Sequence, residues 1–313
     1  MPSTEGKPTV ADCLLYEVSD GLATLTLNRP DALNALNTEL KEALREAVQR
    51  AAQDPAVRAV LLTGNGRAFC VGQDLKEHVS SLARARGEQS ARTGIRSQGA
   101  DNGSDNSGNY DNRDKADRNY EAGKAEEPDN SGAAHSTDPT GVEQAADDRD
   151  TEGAGGALAA MAAMDTARDA AMDTVARHYT PITATIAGMP KPVVAAVNGV
   201  AAGAGAGFAF AADYRVVAET ATFHTAFAGV ALSTDSGVCW TLPRLIGRGR
   251  ATDLLLFPRA VSAAEALELG IAQRVVPPEA LRDEAEAVAR QLAQGPTVAY
   301  AAIKEALEYA AGH

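Results

Sequence analysis

Long apolar runs, cysteines and basic residues are all scarce in this chain of 313 residues. No stretch of about 18 consecutive apolar residues occurs, which argues against a membrane-spanning helix. Three cysteines are too few and too scattered for a disulfide framework or a zinc site, so we expect no metal and a reducing compartment, the cytoplasm. The polar amino terminus gives no sign of a leader. With 29 Lys and Arg against 42 Asp and Glu, the formal net charge is −13, which is unlike a nucleic-acid-binding protein or one that docks on an anionic membrane.

The acidity is concentrated in one segment. Between Asp101 and Glu152 there are 15 acidic and 5 basic residues, a net of −10, whereas the rest of the chain carries 27 acidic and 24 basic residues. From 97 to 157, the one aliphatic side chain larger than alanine is Val142. Because this composition buries too little apolar surface to offset chain entropy, we predict a disordered acidic insert at 85–157. The alternatives are an acidic docking segment or a gate over an active site.

Outside this insert, short apolar runs alternate with segments of helical period. Asp20-Gly21 separates two runs that read as strands, which predicts a β-hairpin. A helical period extends from 38 to 53, with Thr38 as the expected N-cap. The alternation of strands and helices indicates an α/β fold. Strands are predicted at 14–18, 22–27, 59–63, 192–197 and 214–218, and helices at 158–189 (interrupted at Pro181), at 202–212 and over most of the chain after 236.

Two strand-to-helix turns are rich in small residues. In the first, at 64–77, a helix is expected to begin near Asp74, with Glu77 at capping-box spacing. In the second, at 191–207, a strand leads into a Gly/Ala-rich turn. Backbone N–H groups at such helix starts have no partner within the helix and carry partial positive charge. Two turns that each direct one N–H to the same point would form an oxyanion hole, and two ordinary capped helices are the alternative.

Four motifs then occur in a fixed order: Asn28-Arg29-Pro30 with Asn34-Ala35-Leu36, the stretch 68–75, the stretch 192–207 and Leu242–Gly247. Together they resemble the crotonase (enoyl-CoA hydratase/isomerase) superfamily. The resemblance implies a crotonase-like spiral of repeated ββα units with a mostly helical C-terminal part. The core would comprise 1–84 and 158–257, and the helical region 258–313 would be shorter than usual. The resemblance also implies CoA thioester substrates, homotrimers or hexamers, and no cofactor beyond the CoA of the substrate.

The resemblance carries site residues over by position. The backbone N–H groups of Gln73 and Ala204 correspond to the two oxyanion-hole donors of the family. The family's CoA contacts imply Arg29 and Lys76 near phosphates and Ala35 near the adenine, with Asp74 and Leu75 in the same substrate-binding motif. For the two cations, an exposed surface position without a binding role is the alternative.

Both glutamates that the family's hydratases place around a water are absent. Their positions are occupied by Gly207 and Phe227, neither of which can transfer a proton. One acid, Asp235, stands where some isomerases of the family carry a catalytic aspartate, and the stretch 235–244 resembles the branch that isomerises the ring-epoxide of phenylacetyl-CoA. We therefore predict an acyl-CoA isomerase with Asp235 as its proton carrier. An enoyl-CoA hydratase, a non-catalytic acyl-CoA- or protein-binding subunit, and a plain N-cap role for Asp235 are the alternatives.

Overall fold

The strands of the computed structural model, which describes residues 12–74, 76–77 and 172–312, form two sheets. The strands are β1 Leu14–Ser19, β2 Leu22–Leu27, β3 Ala59–Gly64, β4 Ala68–Cys70, β5 Val193–Val197, β6 Val200–Ala202, β7 Tyr214–Ala218, β8 Thr222–His224, β9 Ala260–Ser262 and β10 Arg274–Val276. The six-stranded sheet has the order β1-β2-β3-β5-β7-β10, and the four-stranded sheet has the order β4-β6-β8-β9. The predicted insert at 85–157 lies outside the described residues, and the predicted domain boundaries stay a prediction.

The helices cover the sheets and make up much of the C-terminal part. They are α1 Thr38–Gln53, α2 Thr180–Gly188, α3 Ala204–Ala211, α4 Val238–Ile246, α5 Arg248–Leu256, α6 Ala263–Leu269, α7 Leu281–Gln294 and α8 Thr297–Gly312. Across the described ranges, we find no helix with the combined length and apolarity that crossing a bilayer requires. The C-terminal part is mostly helical, as predicted, although β9 and β10 interrupt it.

The chain builds the two sheets together, one strand at a time. β3, β5 and β7 are parallel neighbours in the larger sheet, and each is followed within a few residues by β4, β6 or β8, which are parallel neighbours in the smaller sheet. Each turn of the chain therefore adds one strand to each sheet, and this confirms the predicted spiral of repeated units. The short strands escaped the sequence patterns because three residues are too few to show a period.

Local signals placed the first elements correctly, with one correction. β1 and β2 pair antiparallel around Asp20 and Gly21, whose φ angles of 51° and 81° suit a tight hairpin turn. The prediction of Thr38 as N-cap is wrong, because Thr38 is already helical. The cap is Asn37, whose side chain accepts a hydrogen bond from the Leu40 N–H at 3.0 Å.

The prediction that Pro181 interrupts the helical segment before β5 is wrong, because the backbone stays helical through Pro181, the second residue of α2. Proline has no N–H, so the carbonyl of Arg177 loses the donor that a regular helix would supply. Arg45 Nη1 donates to this carbonyl instead, at 3.2 Å. The chain forms a π-helical turn at Val175–Tyr179 immediately before α2, and this turn ends with a buried Tyr179.

One lysine fastens α8 to the rest of the fold. Lys304 Nζ donates to Asp213 Oδ2 at 2.7 Å and to the carbonyls of Lys191 and Ile186 at 3.0 and 3.4 Å. Methionine at this position keeps the aliphatic stem and removes all three bonds. We expect Lys304→Met to lower the free energy of unfolding by about 2 kcal/mol and to speed amide exchange in α8.

The matched control for this change is Arg290→Met. Arg290 forms ion pairs with Asp20 and Glu286 at solvent-exposed positions, so its loss is expected to cost less than about 1 kcal/mol. Chemical denaturation measures both values. Equal losses in the two variants would contradict the fastening role of Lys304.

Candidate active site

The two predicted strand-to-helix turns lie against each other. Gly72 and Gly203 both have positive φ angles, 85° and 52°, which glycine adopts most readily. A Cβ built on Gly72 would lie 3.6 Å from the amide nitrogen of Ala204 and 3.0 Å from the carbonyl oxygen of Ala202. The first turn therefore passes directly beside the start of α3, where a larger residue than glycine would separate them.

The amide of Gln73 is oriented by its neighbours. The Leu36 N–H donates to the Gly72 carbonyl at 2.7 Å, and the Asp74 N–H donates to the Leu36 carbonyl at 3.2 Å. Successive amides of extended backbone point in opposite directions. The N–H of Gln73 therefore points away from Leu36.

The amide of Ala204 is the first of α3. The Gly203 N–H is held by the His224 carbonyl at 3.0 Å, and the first bond of the helix runs from the Gly207 N–H to the Gly203 carbonyl. The N–H of Ala204 thus has no acceptor within its own helix. The structure therefore brings both predicted donors, Gln73 and Ala204, to adjacent positions.

Asp235 does not cap a helix with its side chain. Helix α4 begins at Val238, its N-cap position is Gly237, and the Val238 N–H bonds to the backbone carbonyl of Asp235. The carboxylate instead accepts a hydrogen bond from Ser236 Oγ at 2.6 Å. The N-cap alternative for Asp235 is therefore wrong. Burial raises the pKa of the Asp235 carboxyl, and the Ser236 hydroxyl opposes part of that rise.

The turn that carries Asp235 is wedged between α2 and α3. Thr183 Oγ1 donates to the Ser236 carbonyl at 3.2 Å, and a Cβ built on Gly207 would lie 2.8 Å from Ser236 Cβ. Ser236 is buried and has a φ of 50°, a left-handed conformation that costs energy for a residue other than glycine. The surrounding packing holds this strained turn in place.

The two residues at the predicted glutamate positions, Gly207 and Phe227, are both buried. At Gly207, the Asp235–Gly237 turn occupies the space that a side chain would need. At the other position, Phe227 is buried, and its Cζ lies 4.0 Å from a Cβ built on Gly203. The phenyl ring therefore forms an apolar wall beside the second strand-to-helix turn.

This packing predicts the result of adding a side chain at Gly207. Gly207→Ala places a methyl group 2.8 Å from both Ser236 Cβ and the Ser236 carbonyl oxygen. We expect a loss of about 1–3 kcal/mol from overpacking, together with reduced activity because the Asp235 turn must move. We expect Gly207→Glu to fold no better and to gain no hydratase activity. Thermal unfolding and turnover measure both effects.

Gly188→Ala is the matched control. Gly188 is also helical, but a Cβ built on it has no described neighbour within 4 Å. Alanine is the better helix former by up to about 1 kcal/mol, so this variant should be neutral or slightly stabilised. If Gly207→Ala unfolds at the same temperature as Gly188→Ala, the steric account of Gly207 is incorrect.

Four of the five predicted substrate-binding residues lie together. Arg29 Nη1 donates to Asp74 Oδ2 at 3.0 Å and to the carbonyl oxygen of Ala35. Asp74 Oδ1 accepts from the N–H of Lys76 at 3.1 Å. Leu75 lies outside the described residues. The cluster joins the first motif to the first strand-to-helix turn, at 64–77. Its binding of CoA stays a prediction.

Asp74 caps the helical turn that follows it, as predicted. Although burial raises its pKa, hydrogen bonds from Arg29 and from the N–H groups of Glu77 and Lys76 hold the pKa of this carboxyl below its ordinary value. The reciprocal half of the capping box is absent, because Glu77 Oε2 accepts from the Thr38 N–H at 2.8 Å instead. This hydrogen bond links the first strand-to-helix turn to the start of α1.

Two functional candidates escaped the sequence analysis. Lys41 Nζ, at 3.3 Å, and the Tyr179 hydroxyl both donate to Gln73 Oε1. Lys41 had a detectable signal, because a charged residue interrupts the buried face of α1 between Leu40 and Leu44. Tyr179 had none. Cys70, by contrast, is fully buried, and burial raises the pKa of its thiol to about 12, so it packs as a small apolar side chain.

Comparisons with known proteins indicate the family of this chain. A family model described as enoyl-CoA hydratase/isomerase matches residues 17–95 and 153–312. The 1,2-epoxyphenylacetyl-CoA isomerase of Escherichia coli K12 is 34% identical over 297 residues, covering 95% of this chain and 82% of that protein. A probable enoyl-CoA hydratase of Rhodobacter capsulatus is 32% identical, with 93% of this chain and 79% of the relative covered.

A solved structure of an enoyl-CoA hydratase from Mycobacterium smegmatis superposes with a TM-score of 0.62 at 28% identity, covering 95% of this chain and 82% of that one. The described part of this chain therefore shares the spiral fold of that enzyme. The Escherichia coli relative supports the resemblance to the ring-epoxide isomerase branch. The matched family model and the identities of these relatives show that the chain belongs to the enoyl-CoA hydratase/isomerase family, the crotonase superfamily.

Proposed function

We propose that this protein is an acyl-CoA isomerase that moves a double bond, or rearranges an acyl group, through an enolate. One observation carries the proposal. The turn bearing Asp235 packs against α3, whose first N–H is a predicted oxyanion donor. The family resemblance further assigns Gly207 and Phe227, which carry no carboxylate, to the two positions of the hydratase glutamates. A single carboxylate suits an isomerase, because one group can take a proton and return it.

The chemistry is that of a 3-enoyl-CoA thioester. Asp235 removes a proton from C2, and the electron pair spreads over the conjugated carbons to the thioester oxygen as a dienolate. The N–H groups of Gln73 and Ala204 stabilise that oxygen more strongly as it becomes negative, which lowers the barrier. Protonated Asp235 exchanges its proton with solvent during the lifetime of the dienolate and then delivers a proton to C4, giving the 2-enoyl-CoA. Atoms and charge balance, and neither added water nor a cofactor beyond the substrate's own CoA takes part.

The surroundings of Asp235 affect its strength as a base. Burial raises the pKa of its carboxyl, which strengthens the carboxylate as a base. Burial and the Asp235 charge also raise the pKa of Tyr179, so its phenol stays protonated.

The test follows 3-enoyl-CoA and 2-enoyl-CoA substrates with the wild-type protein in deuterated water. The proposal expects interconversion of the two, with deuterium exchange at C2 and C4 and no 3-hydroxyacyl-CoA. Formation of the 3-hydroxyacyl product at a rate exceeding double-bond migration would identify a hydratase, the activity named for the Rhodobacter capsulatus relative. Tight binding of both ligands without any exchange would identify a non-catalytic acyl-CoA-binding subunit.

We further propose that the protein assembles into trimers or hexamers. Two large apolar side chains support this assembly, because Val230 and Phe257 are 66% and 71% exposed. They lie near one another, since a Cβ built on the adjacent Gly229 would be 3.6 Å from Pro258 Cγ. Sedimentation should give three or six times the chain mass, and Phe257→Glu should shift it to monomers. A wild-type monomer at micromolar concentration would contradict the assembly.

A further inference from the structure

The side chain of Gln73 is held by a buried polar network. Its Oε1 accepts one hydrogen bond from Lys41 Nζ at 3.3 Å and another from the Tyr179 hydroxyl. An ammonium group only donates, so the acceptor must be the amide oxygen, and the Tyr179 hydroxyl must donate as well. The two donors therefore fix the orientation of the side-chain amide of Gln73.

These two donors come from separate elements. Lys41 lies on α1, and Tyr179 ends the π-helical turn before α2. On its backbone side, Gln73 is flanked by the two hydrogen bonds that join Gly72 and Asp74 to Leu36. The residue is thus restrained at both its main chain and its side chain, which leaves its N–H little freedom to turn.

Lys41 also places a positive charge beside the side-chain amide of Gln73. The residue is 2% exposed, and in residues 12–74, 76–77 and 172–312 no carboxylate forms an ion pair with its ammonium. Its Nζ lies 5.9 Å from the centre of the Tyr179 ring, whose face adds further attraction. Burial lowers the pKa of Lys41, and the charges of Glu77, Asp74 and Glu42 partly offset that effect.

We infer that Lys41 and Tyr179 are positioning residues, which lock the Gln73 N–H in the direction of the thioester oxygen while the Lys41 ammonium favours negative charge there. This inference rests on the proposed oxyanion role of Gln73. It extends the site beyond the two amides and Asp235 to a second layer on α1 and before α2. Such restraint acts on the transition state more than on the bound substrate.

Acetoacetyl-CoA is the probe, because its enolate absorbs ultraviolet light differently from its keto form and needs no turnover. Bound to wild type, it should be enriched in enolate. Tyr179→Phe keeps the ring packing on Phe208, at 6.2 Å between centroids, and removes only the hydroxyl. We expect this variant and Lys41→Met to bind the enolate about tenfold to a hundredfold less strongly and to lower kcat to a similar extent, with KM for the enoyl-CoA nearly unchanged.

Tyr16→Phe is the matched control. Tyr16 also has a buried hydroxyl, one without a hydrogen-bond partner in the described structure. It should leave enolate binding and kcat unchanged. Enolate binding by Tyr179→Phe and Lys41→Met within twofold of Tyr16→Phe would overturn the inference.

The proposed isomerase function fails by a different result. If wild type enriches the enolate and Tyr179→Phe does not, the positioning network stands even where no double bond moves. If wild type itself binds no enolate, the oxyanion hole is absent and the network has nothing to position. Should Lys41→Met fold poorly, Tyr179→Phe decides the matter alone, since a phenylalanine preserves the packing of that site.

Discussion

Asp235→Asn is expected to lower isomerase turnover by about 10²–10⁴-fold, because an amide cannot accept and return the substrate proton. Asparagine has the size of aspartate and keeps an oxygen that can accept from the Ser236 hydroxyl. In the wild type, this hydroxyl lies 2.6 Å from the Asp235 carboxylate. Binding of acyl-CoA should therefore persist. Deuterium exchange at C2 and C4 should fall with turnover, since both steps use the same group. Undiminished exchange in Asp235→Asn would contradict the role of this residue.

Although Asp235→Asn should lower activity, it should raise the stability of the fold. Burial raises the pKa of Asp235 above its ordinary value of 3.8, so the folded protein binds this proton more tightly than the unfolded chain does. The fold therefore loses stability as the pH rises through that raised pKa. The neutral Asp235→Asn should unfold at a higher temperature than wild type near neutral pH. The wild-type rate should fall as the pH drops through the same raised pKa.

Asp213→Asn separates these effects from those of another acid with a raised pKa. Burial raises the pKa of Asp213 too, although Lys304 opposes this rise, and its carboxylate bonds to Lys304 and to the Val193 N–H. We expect this variant to lose stability and to keep the activity of each folded molecule. An equal loss of turnover in the two variants would show that Asp235 acts through the fold and not through the proton.

Ala204→Pro is expected to lower kcat by about 10²–10³-fold, the cost of removing one oxyanion donor. The substitution deletes the N–H and puts the proline Cδ in its place, so this loss is a minimum. Ala204 is the first residue of α3, a position where proline is well tolerated because its N–H has no helical partner. A residue before proline prefers an extended conformation. The preceding Gly203, with φ 52° and ψ −123°, has the mirror image of that conformation. Because glycine has no Cβ, it tolerates this conformation before a proline.

Ala204→Gly is the control for this substitution. It also changes the side chain at the start of α3 but retains the N–H, so its kcat should remain close to that of wild type. Circular dichroism and thermal unfolding show whether the proline variant is folded. If folded Ala204→Pro is as active as Ala204→Gly, the amide of Ala204 does not stabilise the reaction.

The sequence predicted most of the fold because its local signals agree with one another. The Asp20-Gly21 turn and the periodic helix at 38–53 both appear in the structure. The N-cap of α1 was misplaced by one residue, since Asn37 and Thr38 are both good caps and only the structure distinguishes them. The short strands of the second sheet have no period to detect.

The site was only partly predictable. The adjacency of Gln73 and Ala204 follows from where two strand-to-helix turns lie in successive units of the spiral, so motif order was enough to suggest it. The contacts of Lys41 and Tyr179 with Gln73 join residues 32 and 106 positions away in the chain, and no local pattern marks such pairs. The steric reason for Gly207 likewise depends on a turn that begins 28 residues later.

The convergence of two amides on one carbonyl is most directly tested by a crystal structure of the protein with a bound acyl-CoA thioester. The thioester oxygen should lie about 2.7–3.1 Å from the nitrogens of both Gln73 and Ala204, with a carboxylate oxygen of Asp235 facing C2 of the acyl chain. A thioester oxygen bonded to neither amide, or an acyl chain directed away from Asp235, would contradict the account.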